Sequence, residues 1–221
     1  MNLEELRIDC AMKQKRGLHF ILASIIIWCA VLIIHSTSMP ILTKNLFTFC
    51  VTAPLMPLAF LISKVIKVDF QNKENPLNNL GVLFSLNQML YLLIPMWIFP
   101  TIPEKMLMTI AMIFGAHLLP FGWLYKSKSY IIFAILIPIL SLVIGVNFEP
   151  YILAIVMIVI EVLLWLSIVA SGITVIWVLL SFFTDVLPHG KIIVLPLFTF
   201  VIGLVCLFIS LVSVLRRYYT K

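Results

Sequence analysis

The sequence predicts an all-α, polytopic transmembrane helical bundle, and three observations carry that prediction. Of the 221 residues, 63% are hydrophobic and only 11% charged, with a mean hydropathy of +1.18. The apolar residues gather into runs of about 20, the length of helix that crosses a hydrocarbon core about 30 Å thick. The charges fall between these runs, with the basic ones concentrated on alternate connections. An ordinary soluble domain is about 45–50% apolar and about 25% charged, so this composition cannot build a water-facing surface. Soluble enzymes, disordered tails, coiled coils and disulfide-stapled modules are excluded on the same ground.

Taken in order, the opening stretch 1–16 carries Leu3, Leu6 and Cys10 at helical spacing among charges. It reads either as a short helix lying on the membrane surface or as a solvated tail. The first span is Gly17 to Thr37. Lys13, Lys15 and Arg16 precede it as they would a secretory signal, but its apolar stretch is longer than a signal core and no small-x-small cleavage site follows. Further spans are predicted over Leu46 to Ser63, Leu80 to Phe99, Met106 to Tyr125, Tyr130 to Val146 and Tyr151 to Ala170. Prolines at 54, 57, 95, 120 and 138 fall inside four of them and predict kinks. Trp97, Trp123, Tyr125, Tyr130 and Tyr151 sit near span ends, where amphipathic rings favour the interface. The longest loop is Lys64 to Asn79, too short for a soluble domain.

The stretch from Tyr151 to Phe183 would run about 50 Å as one helix, well beyond the hydrocarbon thickness. A break at Gly172 resolves this, leaving Ile173 to Leu187 as a short seventh span and Ile192 to Leu215 as an eighth. Charge counting favours eight. With a cytoplasmic N-terminus, the inner side then holds Arg7, Lys13, Lys15, Arg16, Lys64, Lys67, Lys73, Lys126, Lys128, Arg216, Arg217 and Lys221, twelve cations against the three outside, Lys44, Lys105 and Lys191. Seven spans would give ten against five. Six spans plus a re-entrant segment and a last span is the further alternative, because Ile173 to Leu187 is only about 22 Å long. The expected organisation is a cytoplasmic or membrane-surface segment 1–16, a single transmembrane domain 17–215 and a cytoplasmic tail 216–221.

Ionisable and amide side chains at membrane depth are the informative residues, since each costs at least about 2.5–3.5 kcal/mol at a span centre if charged. Glu161 is at the centre of the sixth span, His117 near the centre of the fourth, and Asn87 with Gln88 near the centre of the third. At about 1.5 Å per residue the four fall within about 4 Å of the midplane, in one layer. The candidate ion- or proton-binding residues are therefore Glu161 and His117, with Asn87 and Gln88 as orienting hydrogen-bond partners. The alternative is that the same groups only hold helices together, with Glu161 protonated. His35 and Lys44 lie near the outer boundary, where side chains snorkel to water, and His189 follows Pro188 in a short outer loop. Gly115, Gly122 and Gly203 would permit close helix approach.

Enzyme signatures are missing from the sequence: no HExxH, GxSxG or GxxxxGK[ST] occurs. Cys10, Cys29, Cys50 and Cys206 show no CxxC spacing and read as packing residues, so no metal and no cofactor is expected. The partner implied is the lipid bilayer, with anionic-lipid contact at Lys126, Lys128, Arg216 and Arg217, and not nucleic acid. A homo-oligomer or another membrane partner is the remaining expectation.

The opening MNLEELRIDCAMKQKRGLHFILASIIIW, with IFGAHLLPFGWLY and NFEPYILA, resembles a small family of uncharacterised multi-span membrane proteins of Gram-positive bacteria. The resemblance covers about residues 1–171 and ends near Gly172. It implies a bacterial plasma-membrane location and carries no catalytic or binding role. Two functions follow as expectations: a small permease or ion- or proton-responsive transporter built around the midplane layer, or a non-catalytic membrane subunit or envelope accessory in which that layer is structural.

Overall fold

A computed structural model describes residues 2–169, apart from Gln71 and Lys73. These residues are helical throughout, joined by short connections, with no strand among them. The predicted spans Ile173 to Leu187 and Ile192 to Leu215, with Arg216, Arg217, His189, Gly203 and Cys206, lie outside the described residues.

The first helix, α1 (Leu3–Lys13), begins on a reciprocal cap: the Asn2 side chain accepts from Glu5 N–H at 2.9 Å, and the Glu5 carboxylate accepts from Asn2 N–H at 3.0 Å. The chain then turns through three left-handed residues, Lys15 (φ 46°), Arg16 (φ 51°) and Gly17 (φ 73°). Only glycine adopts this region freely, so the two non-glycine residues need outside support. It comes from Lys15 Nζ on the Ile66 carbonyl at 2.6 Å and from the Tyr130 hydroxyl on the Arg16 carbonyl at 2.7 Å.

After this turn run α2 (Leu18–His35), α3 (Ile41–Thr52), α4 (Leu55–Val65), α5 (Leu77–Tyr91), α6 (Leu93–Thr101), α7 (Met106–Leu124), α8 (Lys128–Asn147) and α9 (Pro150–Val169). Five stretches are long and apolar enough to cross a membrane: Lys15–His35, Leu77–Thr101, Pro103–Leu124, Lys128–Asn147 and Pro150–Val169. The pair α3 and α4, bent by 42°, makes a sixth if it is one broken span. All six runs expected over residues 17–170 thus have a counterpart.

The breaks have covalent causes. Pro54 cannot donate an N–H to continue α3, and α4 restarts at Leu55. Pro95 removes a hydrogen bond to the Tyr91 carbonyl four residues back, and α5 ends there. The best-packed pair among α1 to α8 is α7 with α8. Their approach depends on missing side chains. A Cβ at Gly115 would lie 2.6 Å from Ile137, one at Gly122 would lie 2.6 Å from Ile131, and one at Gly145 would lie 2.5 Å from Met108.

By internal contacts the chain divides into Met1–Val162 and Leu163–Lys221. Of the second unit only the last turns of α9 are described, in which the Ser167 hydroxyl donates to the Leu164 carbonyl at 2.8 Å. In the first unit, one end collects α1, the connection after α4 and the turn between α7 and α8. Lys13 pairs with Glu74 at 3.4 Å, and Lys126 pairs with Glu4. Lys44, in the first turn of α3, and Lys105, just before α7, lie at the opposite end, where Lys105 Nζ donates to the Gly145 carbonyl at 2.9 Å and Asn45 Nδ2 to the Pro103 carbonyl at 2.8 Å. Most basic residues of the first unit therefore gather at one end, with Lys44 and Lys105 at the other, as the charge pattern predicts.

Candidate functional site

Two neighbouring cavities, of about 100 and 70 Å³, occupy the space between α2, α4, α5 and α7. Leu55, Gln88, Met89 and Phe114 line both, so they form one chamber with a shared wall. Its surface is mainly apolar, interrupted by a few neutral polar groups: Gln88 in both parts, Ser85, His117, Tyr125 and Tyr130 in the larger, Ser24, Thr48 and Thr52 in the smaller. The broken span α3–α4 supplies Thr52 and Leu55, on either side of its interruption.

Of the sequence-predicted residues, Gln88 and His117 meet at the chamber. The His117 Nδ1 hydrogen-bonds the Phe114 carbonyl of its own helix, and the imidazole stands edge-on to Phe114 and Phe121 at 5.2 and 5.9 Å between centroids. A carbonyl only accepts, so Nδ1 carries a proton, and Nε2 is the nitrogen free to exchange one. Asn87 is exposed on the outer side of α5 and does not join the chamber.

Glu161, on α9, is fully buried, and no cation or imidazole pairs with its carboxyl among the described residues. The Ser24 hydroxyl on α2 is the polar group that acts on it. Since Ser24 also lines the smaller cavity, Glu161 reaches the chamber only behind this hydroxyl. No hydrogen bond or ion pair joins Glu161 to His117 among the described residues. A bare carboxylate in such a place costs several kcal/mol, so its charge has to be neutralised by a proton or a cation.

Other polar groups of the first unit escaped the sequence reading. His19 is buried between Phe20 and Phe70, with Nδ1 unpaired, and lines a third cavity of about 40 Å³ with Gln14 and Tyr125. That cavity shares Ser85, Phe121 and Tyr125 with the larger part of the chamber. At the other end His35 does not snorkel to water as expected: it is 5% exposed, and its Nε2 lies 3.1 Å from Thr48 Oγ1. The Thr48 hydroxyl already donates to the Lys44 carbonyl at 2.9 Å, so His35 is the donor between them. Ser24 and His35 are eleven residues apart, about three helical turns, and this spacing was the available signal that α2 carries a polar face.

No group of three or more His, Cys, Asp or Glu able to hold a metal occurs among the described residues. Cys10 is buried, while Cys29 and Cys50 are exposed on the helix exteriors, and all three are free thiols.

Fold and chamber together define an all-helical protein of the membrane-spanning class, with a mainly apolar interior chamber and a buried carboxyl beside it. The sequence pattern of a family described as "family of unknown function (DUF7010)" matches residues 3–171, and the chain belongs to that family. Neither the curated proteins nor the solved structures contain a match to it.

Proposed function

We propose that the protein is a small permease that responds to or couples with protons or a small cation. Glu161 binds the ion or proton, and His117 and Gln88 contact the transported molecule in the chamber, which Asn87 does not join. The observation that carries this reading is the fully buried Glu161 carboxyl, joined to no cation and no imidazole among the described residues, behind the Ser24 hydroxyl of the chamber wall. A merely structural polar layer would be expected to make interhelical hydrogen bonds. Among the described residues none joins Glu161 to His117, and His117 bonds only to carbonyls of its own helix. Interrupted spans beside a midplane chamber are also how many transporters build their sites.

In this reading the end holding α1 faces the cytoplasm of a bacterial plasma membrane, Lys128 contacts anionic lipid, and Glu161 alternates between proton-bound and released forms. The test is proton entry into liposomes containing the purified protein and an internal pH dye, driven by an imposed inside-negative potential. Flux should exceed that of empty liposomes and fall at least ten-fold in Glu161→Gln, with the variant still monodisperse. Equal flux in the variant, or none above empty liposomes in the parent protein, sinks the proposal.

A further inference from the structure

We infer that the chamber takes its ligand sideways from the bilayer, and that this ligand is an uncharged amphiphile with a hydroxyl- or carbonyl-bearing head on a hydrocarbon tail. A groove of about 560 Å³ lies between α3 and the α5–α6 pair, bounded by residues such as Phe49, Ala53, Met96 and Phe99. Its volume is in the range of small-molecule sites, about 300–1,000 Å³. Leu46, Met89 and Met96 are large apolar side chains exposed at its edge, and Phe49 and Phe99 face each other with centroids 6.2 Å apart.

This groove is not a closed dent in the helix surface. Thr52, Met89 and Leu92 line both it and the smaller part of the chamber, so these side chains form a common wall. Both interruptions of the helical ladder fall at that wall, at Ala53–Pro54 and at Leu92. Met89 lines the groove and both parts of the chamber, and its unbranched thioether chain can change rotamer with little strain. It is the natural gate.

Charge decides the chemistry of the occupant. Among the described residues no Asp, Glu, Lys or Arg lines the groove or either part of the chamber, so a phosphate or ammonium head would meet no counter-charge from them. Thr52 at the wall, then Gln88, Thr48 and Ser24 within, are neutral donors and acceptors. They suit a hydroxyl or carbonyl. The apolar groove outside suits a tail that stays in continuity with the acyl chains.

The inference rests on the permease reading for its consequence, but binding is measured without flux. The probes are a photoreactive diazirine derivative of octanol and the corresponding diazirine alkane, applied to the full chain in phosphatidylcholine nanodiscs, with adducts mapped by mass spectrometry. The alcohol should label residues 46–53 and 86–99 saturably, and excess unlabelled decanol should compete. Gln88→Leu should lower that saturable labelling at least five-fold without altering labelling by the alkane. Met89→Trp should abolish labelling inside the chamber while sparing the groove edge. Non-saturable labelling by both probes would mean bulk lipid only, and no labelling would mean the groove is covered by another part of the chain or a second copy. Either result overturns the inference. Saturable alcohol binding without Glu161-dependent proton flux would leave this site standing and remove the permease reading, whereas flux without saturable binding would do the reverse.

Discussion

Gly115 places the α7–α8 contact on a single missing methyl group. An alanine Cβ there would stand 2.6 Å from both Ile137 Cβ and Cγ2 and from Pro138 Cδ, none of which is the free end of a flexible chain. Overpacking of this kind costs about 1–3 kcal/mol. Gly115→Ala should therefore lower stability by about that amount, read as a lower midpoint in thermal unfolding in detergent. Gly81→Ala is the comparison, since its Cβ would meet only Leu124 Cδ2 at 3.3 Å, a contact relieved by a shift of a few tenths of an ångström, and its midpoint should fall less than that of Gly115→Ala. The sequence singled out Gly115 and Gly122 but not Gly145, because a glycine near a helix end looks like punctuation until its neighbour is known. The same limit applies to the site. Glu161 and His117 stand out in sequence because their residue types are rare in apolar runs, whereas Ser24 and Thr48 are cheap enough in a helix to pass for background. Which helices meet decides their role, and sequence periodicity in a helix apolar on all sides says nothing about that.

At the level of elements, α1 is fastened to the bundle by side chains rather than by an apolar seam. Leu3, Ile8 and Met12 are exposed, and only Cys10 and Ala11 are buried in it. Burial pushes the Cys10 thiol up to about 11, so it stays protonated and unreactive at neutral pH. The fastenings are Arg7, whose Nε donates to the Trp123 carbonyl at 3.0 Å with the guanidinium 4.5 Å above the indole, and Asp9, which accepts from Asn75 Nδ2 at 2.8 Å and pairs with Lys13 at 3.1 Å. Tyr125 adds a hydroxyl bond to Gln14 at 2.7 Å. Arg7→Ala should raise amide exchange across α1 about ten-fold, the effect of losing roughly 1.4 kcal/mol of charge-assisted bonding. The pH dependence follows from the carboxylates. The Asn75 hydrogen bond first, with Lys13 and Asn72 behind it, holds Asp9 below its ordinary value, and the Lys126 hydrogen bond does the same for Glu4. Depressed groups contribute their stability above the unfolded value of about 4 and lose it as pH falls through the folded one. Exchange in α1, corrected for intrinsic rate, should be flat from pH 8 to 5 and rise only below about pH 4. The sequence left α1 between surface helix and solvated tail. Its partners are 60 to 120 residues away, so nothing local could choose.

For the whole molecule, the alternation of basic and non-basic connections was the legible part, and the folded first unit gives it physical form. Lys15 reaches the carbonyl after α4, Lys126 pairs with Glu4, and Lys13 pairs with Glu74, so three separate basic segments meet at one end. The broken spans were legible only as prolines. Pro120 and Pro138 remain inside continuous helices, whereas Pro54 and Pro95 accompany interruptions, a difference the residue type alone does not announce. If the basic end is cytoplasmic, a membrane-impermeant maleimide has to find opposite answers at two exposed positions. Lys67 lies in the connection after α4, and Ser38 lies between α2 and α3. With Cys29→Ala, Cys50→Ala and Cys206→Ala leaving only the buried Cys10 as native thiol, Ser38→Cys should react in intact cells and Lys67→Cys only after lysis. The opposite pattern would invert the molecule, placing the α1 fastenings outside and leaving the positive-inside rule violated. Reaction of both in intact cells would mean that α3 and α4 do not cross the bilayer together, and that their 42° bend is the apex of a re-entrant loop rather than a kink in one span.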